Sequence, residues 1–144
     1  SKGVGIDISK NAISTAEKNA LKYKLTKRVK FINKSFNNIF SKKFDLIVSN
    51  PPYIDSKDMK NLSDDIKRYE PRIALDGGND GLDLIKKVIY KSKDILKTKG
   101  MLALEIGNEQ IKKVSKILIG NNFRIKHVIK DYKANVRCLI AYYN

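Results

Sequence analysis

Short apolar runs alternate with segments of helical periodicity along this chain, and that alternation constrains its fold more than any other feature. Residues 4–8 predict a strand, and residues 11–24 predict a helix with its apolar side chains on one face. Residues 82–96 carry the strongest helical spacing, with Gly100 closing the element, and a further helix from about residue 109 to 119 stops at Gly120. The other predicted strands are residues 29–32, 44–49, 101–106, 123–130 and 136–143. This order predicts an α/β domain with a doubly wound, mainly parallel sheet and an antiparallel C-terminal edge.

Length and composition indicate a single globular domain spanning residues 1–144. The chain has 144 residues, of which 42% are hydrophobic and 31% charged. This is enough for one hydrophobic core but too short a chain for two domains of ordinary size. The lone Cys138 excludes an internal disulfide and lies in an apolar run typical of a buried strand, whereas His127 alternates with apolar residues and is predicted to face solvent. No apolar stretch approaches the roughly 20 residues of a membrane span and no signal peptide is visible, so we expect a cytoplasmic protein.

The net charge of +15 comes from 30 basic against 15 acidic side chains. Such a balance attracts nucleic acid, but it also suits a solvated Lys-rich surface with no dedicated partner. Both interpretations stay open, and weak nucleic-acid contact through this surface is one prediction.

The tetrapeptide Asn50-Pro51-Pro52-Tyr53 directly follows the predicted strand at residues 44–49. Asn50 offers a side-chain carbonyl, and Pro51 fixes the backbone while leaving its own carbonyl free, so two acceptors can converge on one planar NH2 group. Proline also pushes the residue before it towards extended geometry, which stiffens the loop. A stiff loop can orient a nucleophile at low entropic cost. The alternative is a rigid strand-to-loop turn with no ligand.

The order of these parts resembles a class I S-adenosylmethionine-dependent methyltransferase, and more narrowly the HemK/PrmC family of release-factor glutamine methyltransferases. The Asn-Pro-Pro-Tyr motif is shared with adenine N(6)-methyltransferases, so it indicates the chemistry better than the substrate. Three further segments are similar to the narrower family: residues 70–83, residues 104–107 followed by Gln110, and residues 131–137.

The resemblance implies a site for S-adenosyl-L-methionine. Asp7, at the end of the first predicted strand, would accept hydrogen bonds from the ribose hydroxyls, and Ser35 and Phe36 would lie near the adenine, where the family tends to have an acidic residue and a Trp. Asn50 would border the cofactor as well as the substrate. Asp7 could instead cap the helix that follows it, and Phe36 could be a core residue.

The resemblance also implies that Asn50, Pro51 and Tyr53 carry the chemistry and that Pro52 belongs to the same substrate-binding loop. Asn50 and the Pro51 carbonyl would hold the two N–H groups of a glutamine side chain in a peptide chain release factor. The lone pair of this amide would thereby be aimed at the methyl group of S-adenosylmethionine, and no base would need to remove a proton before attack. Two other functions compete with this one: an adenine N(6)-methyltransferase of DNA or RNA, and an inactive basic module that binds RNA or protein.

Several charged residues in the matching segments receive no chemical role. Glu70, Arg72, Asp76 and Asp80 could order a loop over the site through an ion pair and an Asp-Gly turn. Glu105 could support the site indirectly or cap the helix that follows its strand, and the sequence does not separate the two.

Part of the family pattern is missing. The Gly-rich cofactor loop and the strand before it, together with an N-terminal helical domain, have no counterpart here, and neither Gly3, Gly5 nor residues 77–81 can replace the loop. The missing strand would lie between the strand ending at Asp7 and the strand ending at Asn50, so we expect two unpaired inner sheet edges. These 144 residues are therefore expected to be a partial catalytic domain that binds S-adenosylmethionine poorly by itself.

Overall fold

The computed structural model describes residues 1–38 and 43–144. Backbone contacts divide the chain into two compact units, residues 1–40 and residues 41–144.

The first unit is a β-α-β element. Strand β1 (Gly3–Asp7) leads into helix α1 (Lys10–Lys22), and β2 (Val29–Asn33) returns parallel to β1, with Gly3 opposite Val29 and Asp7 opposite Asn33. The Ser9 hydroxyl caps α1 by accepting a hydrogen bond from the amide of Ala12 at 3.2 Å. Gly3 and Gly5 both lie in β1, as predicted, and not in a phosphate-binding loop.

Helix α1 ends two residues before the predicted boundary because Lys24 adopts a left-handed conformation with φ of 57°. The amide of Leu25 donates to the Ala20 carbonyl at 2.7 Å, and the amide of Lys24 donates to the Leu21 carbonyl at 3.1 Å. This pair of hydrogen bonds is a Schellman motif, which is usually formed around a glycine. A lysine in that position gave no stop signal in the sequence.

The second unit contains a four-stranded sheet in the order β3-β4-β6-β5. Its strands are β3 (Phe44–Ser49), β4 (Leu96–Glu105), β5 (Phe123–Lys130) and β6 (Val136–Tyr143). β3 and β4 are parallel, whereas β6 runs antiparallel to both of its neighbours, so β5 points in the same direction as β4. The predicted mixed α/β sheet is confirmed, and the antiparallel strand lies one place inside the edge. Within the described residues β1 pairs only with β2, and β3 only with β4.

The described part of the second unit has three α-helices: α2 (Asp64–Tyr69), α3 (Asp83–Ile95) and α4 (Ile111–Gly120). α3 packs against β3 and β4, α4 packs against β5, and the two helices contact each other, so they cover the same face. The core between this face and the helices is fully buried and consists mainly of Ile85, Ile89, Leu102, Leu104, Val114, Leu118 and Leu139. On the opposite face of β3, Leu46 and Val48 are exposed.

Two helix boundaries differ from the prediction. α3 ends at Ile95, because Leu96 is extended and pairs with Phe44 as the first residue of β4. Gly100 therefore lies in an irregular stretch of β4 and does not cap a helix. α4 begins at Ile111 because Glu109 has a φ of 68°, which a right-handed helix cannot include.

His127 is exposed on β5, as predicted. Cys138 is half-buried on β6, less enclosed than the sequence suggested, and burial raises the pKa of its thiol, which disfavours the thiolate. No helix among residues 1–38 and 43–144 is long and apolar enough to cross a membrane.

The burial of α3 predicts a sharp contrast between two isoleucines. Ile89 is fully buried, so we expect Ile89→Ala to lower the free energy of unfolding by about 2–5 kcal/mol through lost burial and a cavity. Ile119 on α4 is 64% exposed, so Ile119→Ala should cost less than about 1 kcal/mol. Urea unfolding of both variants measures the difference, and similar losses would contradict this assignment of the core.

Candidate active site

The tetrapeptide after β3, Asn50-Pro51-Pro52-Tyr53, is called here the acceptor loop. Pro51 is buried, Pro52 and Tyr53 are half-buried, and Asn50 is exposed. Because β3 and β4 are parallel, their carboxyl ends meet at one edge of the sheet, and the acceptor loop lies beside the residues that follow β4.

Two hydrogen-bond acceptors of this loop are unused. Neither the side chain of Asn50 nor the carbonyl of Pro51 forms a hydrogen bond with any described residue. An asparagine side chain and a backbone carbonyl together can accept both hydrogens of a planar NH2 group. The loop therefore offers the pair of acceptors that the sequence predicted; their use for a substrate stays a prediction.

Tyr53 is held at three points. Its hydroxyl lies 3.5 Å from Glu105 Oε1, a long hydrogen bond, and its carbonyl accepts from Gln110 Nε2 at 3.0 Å. Its ring passes so close to Gly107 that a Cβ at position 107 would lie 3.0 Å from Tyr53 Cδ2. The two open interpretations of Glu105 are thereby separated, because Glu105 contacts the acceptor loop, whereas Gln110 occupies the N-cap position of α4.

Residues 131–137 close the β5-β6 hairpin next to Glu105. The Asp131 carboxylate accepts hydrogen bonds from the amides of Lys133 and Asn135 and from Arg137 Nε at 2.9 Å. The Arg137 hydrogen bond is the main reason why the pKa of Asp131 is lowered, and the same bond raises the pKa of Arg137. The Arg137 carbonyl in turn accepts from the amide of Ile106, the residue after Glu105, at 3.0 Å.

The segment of residues 75–78 runs alongside the acceptor loop. The amide of Ile54 donates to the Leu75 carbonyl at 3.1 Å, and the amide of Gly77 donates back to the Ile54 carbonyl at 2.8 Å. A Cβ at Gly77 would lie 2.8 Å from Tyr53 Cα, and a Cβ at Gly81 would collide with the Tyr53 carbonyl oxygen. Glycine is required at both positions by this close approach, and Gly81 also has a φ of 65°.

Asp76 organises this segment through several hydrogen bonds. Its Oδ1 accepts from the Ser56 hydroxyl at 2.5 Å and from the Gly78 amide at 3.0 Å, while Oδ2 pairs with Arg72 at 3.3 Å. The Ser56 hydroxyl first, and then the Gly78 amide, lower the pKa of Asp76 from its ordinary value of 3.8, with Arg72 adding to the effect. The ion pair expected in this part of the chain therefore forms between Arg72 and Asp76. Asp80, at φ 55°, pairs only distantly with lysines.

The acceptor loop borders a recess of about 460 Å³. The residues that line it are Tyr53, Ile54, Asp55, Asp58, Asp80, Gly107, Asn108, Glu109, Gln110 and Lys113. Its polar rim thus carries more carboxylates than cations, in contrast to the strongly basic chain as a whole.

The residues predicted to hold a cofactor in the first unit lie at the carboxyl ends of β1 and β2. Asp7 is exposed, and its Oδ1 accepts from the Ser9 amide at 2.7 Å, so Ser9, and not Asp7, caps α1. The Ser35 hydroxyl accepts from the Asn37 amide at 3.4 Å, and Phe36 is half-buried at the start of a short 3-10 turn. The use of Asp7, Ser35, Phe36 and Asn50 for cofactor stays a prediction.

Sequence reasoning assigned no role to two residues that organise the ends of strands, Asn33 and Gln110, although Gln110 belongs to one of the matching segments. Asn33 Nδ2 donates to the carbonyls of Asp7 and Ile8 at 3.0 and 2.9 Å and so joins the end of β1 to the end of β2. Gln110 joins the acceptor loop to two other segments. For Asn33, an amide at the end of the neighbouring parallel strand was an available signal; for Gln110, no local pattern indicates bonds to residues 57 and 29 positions away.

The sheet order and the acceptor loop define the class, a Rossmann-like class I methyltransferase. The ribosomal protein L11 methylase from Lactobacillus delbrueckii subsp. bulgaricus has a similar fold at a TM-score of 0.71 and 18% identity, over 100% of this chain and 59% of that one. The magnesium protoporphyrin IX methyltransferase from Synechocystis PCC 6803, solved with bound SAM, gives a TM-score of 0.67 at 16% identity, over 100% of this chain and 60% of that one.

The family model described as Eco57I restriction-modification methylase matches residues 4–136, so the chain belongs to this methylase family. The chain is also 43% identical over 142 residues to the release factor glutamine methyltransferase of Fusobacterium nucleatum subsp. nucleatum, covering 95% of this chain and 39% of that protein. It is 40% identical over 141 residues to the protein of the same name in Clostridium acetobutylicum, covering 94% and 48%. The ribosomal protein uL3 glutamine methyltransferase of Francisella tularensis subsp. tularensis is 42% identical over 106 residues, covering 73% and 33%.

These relatives confirm the resemblance that the motifs predicted. The chain spans less than half the length of each of the three relatives.

The hydrogen bonds to Asp76 predict how its carboxyl titrates. In the folded protein its pKa should lie below 3.8, and Ser56→Ala should raise it towards that value. Because the folded-state pKa is the lower one, the stabilisation by this carboxylate is present above about pH 4 and is lost as the pH falls through the folded pKa. Carboxyl-detected NMR titration measures the shift. Ser63→Ala is the matched control, because Ser63 makes no side-chain capping bond, and an unchanged Asp76 pKa in Ser56→Ala would refute the assignment.

Proposed function

We propose that the protein containing this chain transfers a methyl group from S-adenosyl-L-methionine to the side-chain amide nitrogen of a glutamine in a peptide chain release factor. The observation that carries the proposal is the acceptor loop, in which the Asn50 side chain and the Pro51 carbonyl form no hydrogen bond with residues 1–38 or 43–144. Relatives at 40–43% identity whose names specify glutamine methylation of release factors support this choice of acceptor.

An amide nitrogen is a poor nucleophile because its lone pair is delocalised into the carbonyl. Asn50 and Pro51 would accept one N–H each, which fixes the plane of the amide and polarises the nitrogen. Held by Asn50 and Pro51, the amide nitrogen would receive the methyl group that the sulfonium of S-adenosylmethionine supplies, and the proton displaced from nitrogen would pass to solvent. Positioning by two acceptors replaces a general base in this scheme.

The cofactor supplies an electrophilic methyl group on a sulfonium. The residues of the first unit fit part of this molecule: Asp7 is exposed at a strand end and its Oδ2 has no partner among the described residues, so it can accept from a ribose diol. Ser35 and Phe36, at the end of the neighbouring strand, would lie on the adenine side.

One finding favours a second methyl-accepting group, the amine of adenine. The matching family model is named for restriction-modification methylases, and the exocyclic amine of adenine is also a planar NH2 group that Asn50 and Pro51 could hold. The curated relatives, one of them named for ribosomal protein uL3, favour a glutamine in a protein of the translation apparatus. A cytoplasmic location is part of this proposal. Nucleic-acid contact through the Lys-rich surface stays a secondary expectation.

The acceptor pair predicts a large effect of a small substitution. Asn50→Ala removes one of the two acceptors, so we expect kcat for methyl transfer to fall by roughly 10²-fold or more. Thermal stability should change little, because Asn50 is exposed and its side chain bonds to no residue that the structure describes. Transfer of radiolabelled methyl to a release factor measures the rate. Asn61→Ala, at an exposed position in a short 3-10 turn, is the matched control and should keep the wild-type rate. Wild-type activity in Asn50→Ala would sink the proposed mechanism.

A competition experiment tests whether the methyl group goes to a glutamine or to an adenine. We expect the protein to methylate a release-factor domain, with mass spectrometry locating the added 14 Da on a glutamine, a mass increase that replacement of one N–H by N–CH3 requires. The same release factor with that glutamine changed to glutamate should receive no methyl group. Label appearing in adenine of a DNA or RNA competitor, and not in the release factor, would establish the alternative function.

A further inference from the structure

Gln110 stands at the start of α4 but does not cap that helix with its side chain. Its side-chain amide instead contacts three backbone groups. Oε1 accepts from the Gly107 amide at 2.8 Å, and Nε2 donates to the Tyr53 carbonyl at 3.0 Å and to the Gly81 carbonyl at 3.3 Å. All three bonds are partly buried, so water replaces them poorly.

The three backbone groups belong to three different segments of the chain. Tyr53 closes the acceptor loop, Gly81 ends the glycine-containing segment that runs beside it, and Gly107 follows β4. One side chain can join these segments only if it accepts from one and donates to two, and among side chains of this length glutamine alone carries both functions in a neutral group. Glutamate would present a second negative oxygen to two carbonyl oxygens.

The Gln110 side chain is closely packed against its neighbours. A Cβ at Gly107 would lie 3.0 Å from Gln110 Oε1 and 3.0 Å from the Tyr53 ring, and a Cβ at Gly81 would lie 2.9 Å from Gln110 Nε2. Two glycines therefore make room for one glutamine side chain. The arrangement fixes the carbonyl of Tyr53, two residues after the Pro51 carbonyl.

We propose that Gln110 is a positioning residue for methyl transfer, because it holds the acceptor loop in the geometry that lets Asn50 and Pro51 share one amide. The inference rests on the proposed function, and its test includes a measurement that does not. Gln110 touches neither substrate nor cofactor in this role. Its loss should lower the rate of the chemical step more than the affinity for either substrate.

The kinetic test uses the protein as its gene encodes it, with S-adenosylmethionine and a release factor. We expect Gln110→Met, which is similar in size but lacks both functions, to lower kcat by roughly 10- to 100-fold while KM for S-adenosylmethionine stays within about 2-fold. Lys112→Ala, at an exposed position on the first turn of α4, is the control and should keep the wild-type kcat.

Gln110→Glu adds a pH readout that a purely structural role would not give. The carboxylate can still accept from Gly107 but repels the two carbonyls, whereas the protonated acid can accept from Gly107 and donate to Tyr53. The ratio of the Gln110→Glu rate to the wild-type rate should therefore rise as the pH is lowered, and the same ratio for Gln110→Met should not. A kcat within 2-fold of the wild type in both variants, or equal losses in Gln110→Met and Lys112→Ala, would overturn the role of Gln110.

The three hydrogen bonds of Gln110 to Gly107, Tyr53 and Gly81 form what is called here the clamp. Hydrogen exchange tests it without any assay of activity. In the wild type, the amide of Gly107 should exchange at least ~10-fold more slowly than the amide of exposed Asn108. In Gln110→Met, the amides of Ile54, Gly77 and Gly107 should exchange faster, while those of the core residues Leu102 and Leu139 should not change. Equal exchange of Gly107 and Asn108 in the wild type would refute the clamp. If the wild-type protein methylates no glutamine but the exchange pattern holds, the proposed function fails and the clamp stands.

Discussion

The parallel pairing of β3 with β4 is the constraint on which the candidate site depends. It brings the carboxyl ends of two strands to one sheet edge, so that the residues after Ser49 and the residues after Glu105 lie side by side although 56 positions separate them in the chain. From this pairing follow the contacts of Tyr53 with Glu105, Gly107 and Gln110. A change that shifted the register of β4 by one residue would turn the Glu105 side chain to the other face of the sheet, away from Tyr53.

The structure also gives one physical reason for four separate sequence motifs. The Asn-Pro-Pro-Tyr loop supplies the acceptors, the segment around Asp76 pairs with the backbone at Ile54, and the residues after β4 enclose Tyr53. The fourth motif closes the β5-β6 hairpin through the Asp131–Arg137 ion pair and holds the end of β4 through the amide of Ile106. Each motif supports the rigidity of the acceptor loop, and the proposed reaction, which uses no general base, requires a rigid loop.

Local signals made much of the fold predictable. The alternating strands and helices, the exposed position of His127 and the antiparallel hairpin at the C-terminus all follow from periodicity over a few residues, and the structure confirms them. The start of β4 was not predictable in this way, because Leu96 continues the helical spacing of α3 and becomes a strand residue only through its pairing with Phe44. The end of α1 was not predictable either, because Lys24 adopts a left-handed conformation that is usual for glycine. In the site, the unused acceptors of Asn50 and Pro51 were predictable from chemistry, but the bonds of Gln110 reach 29 and 57 positions along the chain, and no local pattern encodes them.

In the proposed mechanism, Asn50 and Pro51 hold the two N–H groups of one planar amide. A crystal structure of the protein with S-adenosylhomocysteine and a glutamine peptide from a release factor would show whether they do. We expect Asn50 Oδ1 and the Pro51 carbonyl oxygen both to lie about 2.7–3.2 Å from the glutamine amide nitrogen, with that nitrogen facing the cofactor sulfur. A glutamine bound away from the acceptor loop, or held there with the amide nitrogen turned from both oxygens, would refute this mechanism.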